Sequence, residues 1–405
     1  MVMEERIILH SDLNNFYASV ECLEHPELSE VPVIVAGSVE DRHGVVLAKN
    51  QAAKKYGIKT AETVWQAKEK CSNLIILPPH HEKYAVFSRA VKKIYERFTN
   101  CVEAFSIDEC WLDVTGSAAL FGSGYQIAQQ IRRSVKRETG LTVSVGVSFN
   151  KSIAKLASDR KKPDGVTVIN RMNFKRQVWP MPVAELCGVG KETEKKLKAI
   201  GVLTIGDLAN AGKQALTERL GKNGGYLWQC ANGLENEPVL SEKEMPPPKS
   251  IGRSMTCKKD LTSTQEVWQF LLFLSEQVSA QLRLQNFTAD VVQISIKDSS
   301  LKVSEYQEKM LVSSRLGIEI AKTGFQLFQR HWKWTRPVRA VGIRVCALMD
   351  ANSGWQPSFF ADSQYCERKE MLEESMDRIR NRFGNGTIMR ASLMQKFSSE
   401  KTVME

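Results

Sequence analysis

Three acidic residues carry the strongest chemical signal in this chain of 405 residues. Asp12 closes a short apolar run, Ile7-Ile8-Leu9, and Asp108-Glu109 follows Ser106-Ile107 at a turn far along the chain. Taken singly, each has an ordinary use: Asp108 would cap a hairpin turn and Asp12 a helix. Brought together, they would repel and shift one another's pKa unless cations neutralised them. Hard carboxylate oxygens suit Mg²⁺ best, and two such ions serve phosphoryl transfer by activating an attacking oxygen and stabilising a leaving pyrophosphate.

The elements that must position these acids are legible in the apolar spacing. Arg6 to His10 reads as a strand that delivers Asp12, and Phe16, Val20 and Leu23 mark one face of a helix that Pro26 stops. Residues 27 to 79 alternate small units: strands at 33–36, 44–47 and 74–77, and short helices at 50–56 and 62–71. From His81 the elements lengthen. A helix runs through Phe87, Val91, Ile94 and Phe98, then strands at 101–105 and 109–114 flank the turn, and a helix at 124–139 leads to a strand at 141–147 and a helix opening near Asn150. With the first strand the order is βαββαβ, the split βαβ (ferredoxin-like) arrangement of an antiparallel sheet with helices on one face. That topology sets the first and third strands side by side, so Asp12, Asp108 and Glu109 are expected at one sheet edge.

Residues 170 to 236 lack strand signals and read as wholly helical. The stretch 235–249, with three consecutive prolines and mixed charge, reads as a solvated, stiff linker. Beyond it, strands at 250–255, 289–297, 306–312 and 340–348 and helices at 266–284 and 315–331 make a second α+β domain, followed by a tail (351–405) with a charged helical stretch at 367–383.

Composition narrows the partner. With 42% hydrophobic residues the chain can bury several cores, and 56 Lys+Arg against 46 Asp+Glu give a net charge of +10. Such a balance favours a polyanion. It is unevenly placed: residues 1–80 carry −3, residues 81–350 carry +13, and the tail is neutral. No apolar run approaches the roughly 18 residues that span a bilayer, and the opening residues resemble no secretory leader, so a soluble cytoplasmic protein is expected. Nine cysteines never come closer than Cys101 and Cys110, which argues for buried thiols rather than a zinc site or disulfide framework.

The residues also carry a family resemblance. Asp12-Leu13-Asn14-Asn15-Phe16-Tyr17-Ala18-Ser19-Val20-Glu21 and Ser106-Ile107-Asp108-Glu109 resemble two palm motifs of Y-family translesion DNA polymerases, closest to the bacterial DNA polymerase IV branch. Val145-Gly146-Val147-Ser148, the run Asn150 to Ser158, and Lys162-Pro163-Asp164-Gly165 resemble a third palm segment. The resemblance covers about residues 6 to 350. It implies an α+β multidomain enzyme: a palm at 1–13 and 81–169, inserted fingers at 14–80, a thumb at 170–236, a linker at 237–249, and a little finger at 250–350. It further implies Asp12, Asp108 and Glu109 as catalytic metal-binding carboxylates, joined by the Leu13 carbonyl and holding two Mg²⁺ ions. Tyr17 matches the aromatic steric gate that excludes a ribose 2′-hydroxyl; on position alone it would be a core aromatic. Phe16, Lys54 and Lys162 match nucleotide-binding positions. Where many relatives have Tyr and Arg on the first fingers helix, this chain has Gln51 and Lys54, and a lysine lacks the planar fork of arginine.

Leu186-Cys187-Gly188-Val189-Gly190, with Gly201 to Leu208 after it, resembles a helix-hairpin-helix in which Gly188 and Gly190 expose amides to a DNA phosphate; the plainer alternative is a tight interhelical turn. Arg253, Arg336 and Arg339, with Lys258, Lys259 and Arg344, lie on or beside strands of the far domain and would grip backbone without reading bases, or form a solvated charged face. Gln356-Pro357-Ser358-Phe359-Phe360 resembles the short motif by which such polymerases dock on the sliding clamp, with Gln356, Phe359 and Phe360 as its anchors; a chance aromatic pair in a tail is the other reading.

The expectation is therefore a monomeric, template-directed DNA polymerase of the error-prone translesion type, acting in damage bypass on primer-template DNA with dNTPs, without proofreading and with a clamp partner. A nucleotide cyclase would use a similar palm without a helix-hairpin-helix, and a non-catalytic DNA-binding scaffold would leave the three acids without purpose.

Overall fold

The structure, a computed structural model, describes residues 5–352 and 363–397. It divides into two compact units, one of Met1–Ala36 with Val46–Met245 and one of Gly37–Val45 with Pro246–Glu405.

At the centre of the first unit is strand β1 (Ile8–Leu13), buried at all six positions. It is followed by α1 (Phe16–Glu24) and by a small sheet in which β2 (Val33–Ala36) lies between β3 (Val46–Lys49) and β4 (Ile75–Leu77), with α2 (Gln51–Lys55) and α3 (Val64–Lys70) connecting them. Helix α4 (His81–Tyr95), strands β5 (Val102–Ala104) and β6 (Glu109–Asp113), the single turn α5 (Ala118–Phe121), α6 (Gly124–Thr139), β7 (Val143–Ser148), α7 (Lys151–Ser158) and β8 (Val166–Val168) complete the main sheet, in the order β5-β6-β1-β7-β8. The first four strands in that order realise the expected βαββαβ arrangement, and β8 adds a parallel edge strand that the sequence reading omitted.

Both faces of β1 are covered because both of its alternating sets of side chains can be buried. Leu9 and Leu13 pack with Val91 and Ile94 of α4 and with Ile127, Ile131 and Val135 of α6. Ile8 faces the other way, with Trp111 and Ala154 of α7. The expectation of helices on one face is thus corrected: α7 occupies the opposite face. Gly146 is the reason it can sit so close, since a Cβ there would lie 2.0 Å from the Ala154 carbonyl oxygen and 2.4 Å from the Ser158 nitrogen. Asn150 starts α7, its side chain accepting from the Ile153 amide.

A helical segment follows: α8 (Arg171–Val178), α9 (Lys191–Lys198), α10 (Ile205–Asn210), α11 (Lys213–Leu220) and α12 (Lys222–Ala231), around Leu186, Leu197, Leu208 and Leu227. The stretch 235–249, expected as a solvated linker, is partly buried near its start. Glu235 is buried and accepts from the Ser152 amide and hydroxyl, Val239 is buried, and the Leu240 amide donates to Glu103. Polar groups at the start of α7 needed acceptors, and this segment supplies them.

The second unit is a four-stranded antiparallel sheet ordered β11-β10-β12-β9, from β9 (Ser250–Leu261), β10 (Phe287–Asp298), β11 (Val303–Ser314) and β12 (Val338–Asp350), covered by α13 (Thr264–Leu284) and α14 (Gly317–His331). The charged helical stretch expected at 367–383 is helix α15 (Ser363–Phe383), and a further helix α16 (Ala391–Phe397) follows it; Leu393 and Phe397 of α16 join this core, and α15 is tied to α13 by ion pairs. Phe397 stacks on Phe273 of α13 at 4.1 Å between centroids, and Arg283 binds Glu373 at 2.6 Å and Asp377 at 2.7 Å. Amphipathic charge spacing in α15 reads as solvated in one dimension but finds buried partners on α13. Phe397→Ala should cost about 3–5 kcal/mol, measured as a lowered melting transition of the second unit with the first unit's transition unmoved.

Candidate active site

The pairing of β1 with β6 builds the site. Its register sets Asp12 opposite Glu109, His10 opposite Trp111 and Ile8 opposite Asp113, so these side chains share the face that α7 covers. The Leu13 amide donates to the Asp108 carbonyl at 3.0 Å and closes the pairing at the turn. Ser106 shapes that turn: its hydroxyl donates to the Asp108 carboxylate at 2.5 Å and accepts from the Glu109 amide at 3.0 Å. Asn15, at φ 51°, bends the chain from strand to α1. Asn14 is buried; its side chain donates to the Ser144 hydroxyl and accepts from the Thr142 hydroxyl and the Asp164 amide, tying the loop after α7 to the end of β1.

Lysines from α7 and that loop meet the acids. Lys155 Nζ lies 2.6 Å from Glu109 Oε1, and Lys162 Nζ lies 2.6 Å from Asp12 Oδ2 and 2.7 Å from Asp159. Lys151 pairs with Glu103 at 2.6 Å. Burial pushes the Asp12 carboxyl up to about 7, with Lys162 pulling against it and Glu109 adding to it. Burial, Lys155 and Lys162 hold the imidazole of His10 well below its ordinary pKa, hence neutral; its Nδ1 bonds the Ser158 hydroxyl at 2.9 Å, and its buried Nε2 has no partner among the described residues.

As the side chains stand, no group of three or more Asp, Glu, His or Cys among the described residues is spaced to hold a metal ion. Asp108 is engaged by Ser106, and Glu109 and Asp12 by their lysines. The donor set nevertheless fits a hard divalent cation: two carboxylates in cross-strand register, a third at the adjoining turn, and a buried Asp12 whose charge calls for a counter-ion.

The other expected residues are distributed as follows. The Phe16 side chain lies in the core, 3% exposed. Tyr17 is half-buried, stacked on Tyr84 at 4.0 Å, and burial and the nearby Asp108 raise its hydroxyl pKa. Tyr84 in turn donates to the buried Glu21. Lys54 is exposed on α2, after Gln51 at its start. Gly188 has φ +93°, which favours glycine, whereas Gly190 precedes α9 with open space around it. The arginines do not form one row. Arg253 pairs with Ile343 in register while Arg344 pairs with Gly252, so they point to opposite sides of the sheet; Arg336 precedes β12 and Arg339 lies within it. Gln356, Phe359 and Phe360 lie outside the described residues.

Sequence reasoning missed Lys155, Ser106 and His10 as members of the site. One signal was available: Lys151 and Lys155, four apart, share a face of α7.

This carboxylate-bearing antiparallel sheet, with a helical segment after it and a separate four-stranded domain, is the architecture of Y-family DNA polymerases. A solved Y-family chimera of Dbh and Dpo4 matches with a TM-score of 0.77 at 23% identity, over 85% of this chain and 99% of that one. The impB/mucB/samB family matches residues 11–159, its C-terminal domain residues 248–359, and the DNA polymerase-iota thumb domain residues 184–235. DNA polymerase IV of Acetivibrio thermocellus is 49% identical over 96% of this chain and 98% of its own length, and that of Clostridium kluyveri 35% over 96% and 99%. The chain belongs to the DNA polymerase IV family, DNA-directed DNA polymerases of the translesion type that depend on divalent metal. Among the described residues no helix is long and apolar enough to cross a membrane.

Proposed function

We propose that this chain adds deoxynucleotides to a primer 3′-end by two-metal-ion nucleotidyl transfer, in the cytoplasm, during bypass of DNA damage. The observation that carries this reading is the register of β1 with β6, which sets Asp12 beside Glu109 with Asp108 at the adjoining turn. Two Mg²⁺ ions on Asp12, Asp108, Glu109 and the Leu13 carbonyl would activate the 3′-hydroxyl and neutralise the pyrophosphate it displaces. The chain's own groups do the rest. Asp12 and Glu109 sit at fixed places on neighbouring strands, so presenting their oxygens to cations costs little reorganisation at the moment of reaction. Lys162, on a loop anchored by Asn14 and by the Arg132–Asp164 pair, is the group that meets the triphosphate. Tyr17, braced by Tyr84, fills the space a 2′-hydroxyl would need. Phe16, buried as a side chain, is left its backbone for contact with the nucleotide.

DNA is held without base reading. The amides at Gly188 and Gly190 meet a backbone phosphate at the start of α9, and Arg253, Arg336 and Arg339 add charge in the second unit. Lys54 supplies a point charge toward the nucleotide where relatives present an arginine fork. The sliding clamp binds Gln356, Phe359 and Phe360.

Three outcomes are expected. Asp108→Ala and Glu109→Ala should each abolish primer extension on undamaged and lesion-bearing templates while DNA binding by gel shift survives; robust extension by either would remove that residue from the metal site. Tyr17→Ala should admit ribonucleotides, read as a fall of at least tenfold in the ratio of dNTP to rNTP incorporation efficiency. Deleting residues 356–360 should weaken clamp-stimulated synthesis and spare basal synthesis, and equal loss of both would point to a structural segment instead.

A further inference from the structure

We propose that Lys155 is the resident counter-ion of Glu109 and that a divalent metal enters by competing with it, so that loading the site is an exchange of cations. The inference rests on the metal-binding reading of Asp12, Asp108 and Glu109. Lys155 Nζ sits 2.6 Å from Glu109 Oε1, with the two side chains only 16% and 17% exposed, so water screens the pair weakly. The position is built in. Helix α7 is pinned by the Asn150 cap and by its contact with Gly146, and the nearby Lys151 is consumed by Glu103 and lies over the Trp111 ring at 5.1 Å.

Lys155 also has a second place to rest. Its ammonium is 4.7 Å from the centroid of Phe105, a ring that is 50% exposed, so the charge can stay on an aromatic face when the carboxylate turns to a metal. Lys162 is arranged in parallel, since Asp159 shares its ammonium with Asp12. Lys155 acts here through Glu109 and is a positioning residue.

Binding of Mn²⁺ alone, without DNA or nucleotide, tests this by the loss of the free-ion electron paramagnetic resonance signal. Lys155→Met removes the charge and keeps an unbranched chain over Phe105; Lys155→Gln also keeps a hydrogen bond to Glu109 should the methionine variant fold poorly. Either should bind its first Mn²⁺ at about three- to tenfold lower concentration than the parent protein, and Lys155→Arg should restore the parent value. Unchanged or weaker binding in both neutral variants, with Glu109→Gln devoid of site binding, overturns the exchange and leaves the metal reading intact. Full Mn²⁺ binding in Glu109→Gln overturns the metal reading itself.

Discussion

The site depends on one antiparallel pairing, between the end of β1 and the start of β6. Side chains alternate across a strand, so a slip of one residue would send Asp12 to the α4 face, among Val91, Ile94 and Leu112, and bury an unpaired charge there while turning Leu9 and Leu13 out of that core. The register is held from both faces. Leu9 and Leu13 pack into one core and Ile8 into another, and the Leu13 amide to Asp108 carbonyl bond locks the final step. Burial of β1 on both sides therefore does two things at once: it makes the sheet centre rigid, and it sets the acids where rigidity matters.

Holding acids on such a strand has an electrostatic cost, which the fold offsets locally. Each acid on the α7 face has a cationic partner: Glu103 has Lys151, Glu109 has Lys155, Asp12 has Lys162 and Asp113 has Arg6. Removing one partner from a buried pair is far more damaging than replacing both. The same logic shapes the second unit. There Glu276 is held by Arg380 and Arg390, and Glu373 by Arg283 and Arg390, so α15 and α16 are joined to α13 by charge as well as by Phe397.

Much of the fold was legible in order and type. Helix α6 was expected at its observed bounds, and the structure shows what sets them: Ser123 and Gln126 form a capping box, Gly140 ends the helix, and Ile127, Ile131 and Val135 bury one face at helical spacing. Strands β9 to β12 were expected in sequence but ran longer, since their ends mix polar and apolar residues, as in Lys258-Lys259-Asp260-Leu261, and carry little alternation signal. The face chosen by α7 was not legible. Its apolar residues only say that it packs, and the close approach over Gly146 becomes visible once the sheet exists.

The sequence by itself determined the acids, their order and the strands that carry them, because those follow from residue type and from periodicity over a few neighbours. It also determined the family, through motifs whose spacing is local. Only the tertiary structure decided which charge answers which: Lys155 with Glu109, Lys162 with Asp12, Arg283 with Glu373. Those partners lie 46, 150 and 90 residues apart. Pairing across such distances is set by how sheet and helices stack, and a linear pattern does not encode that stacking.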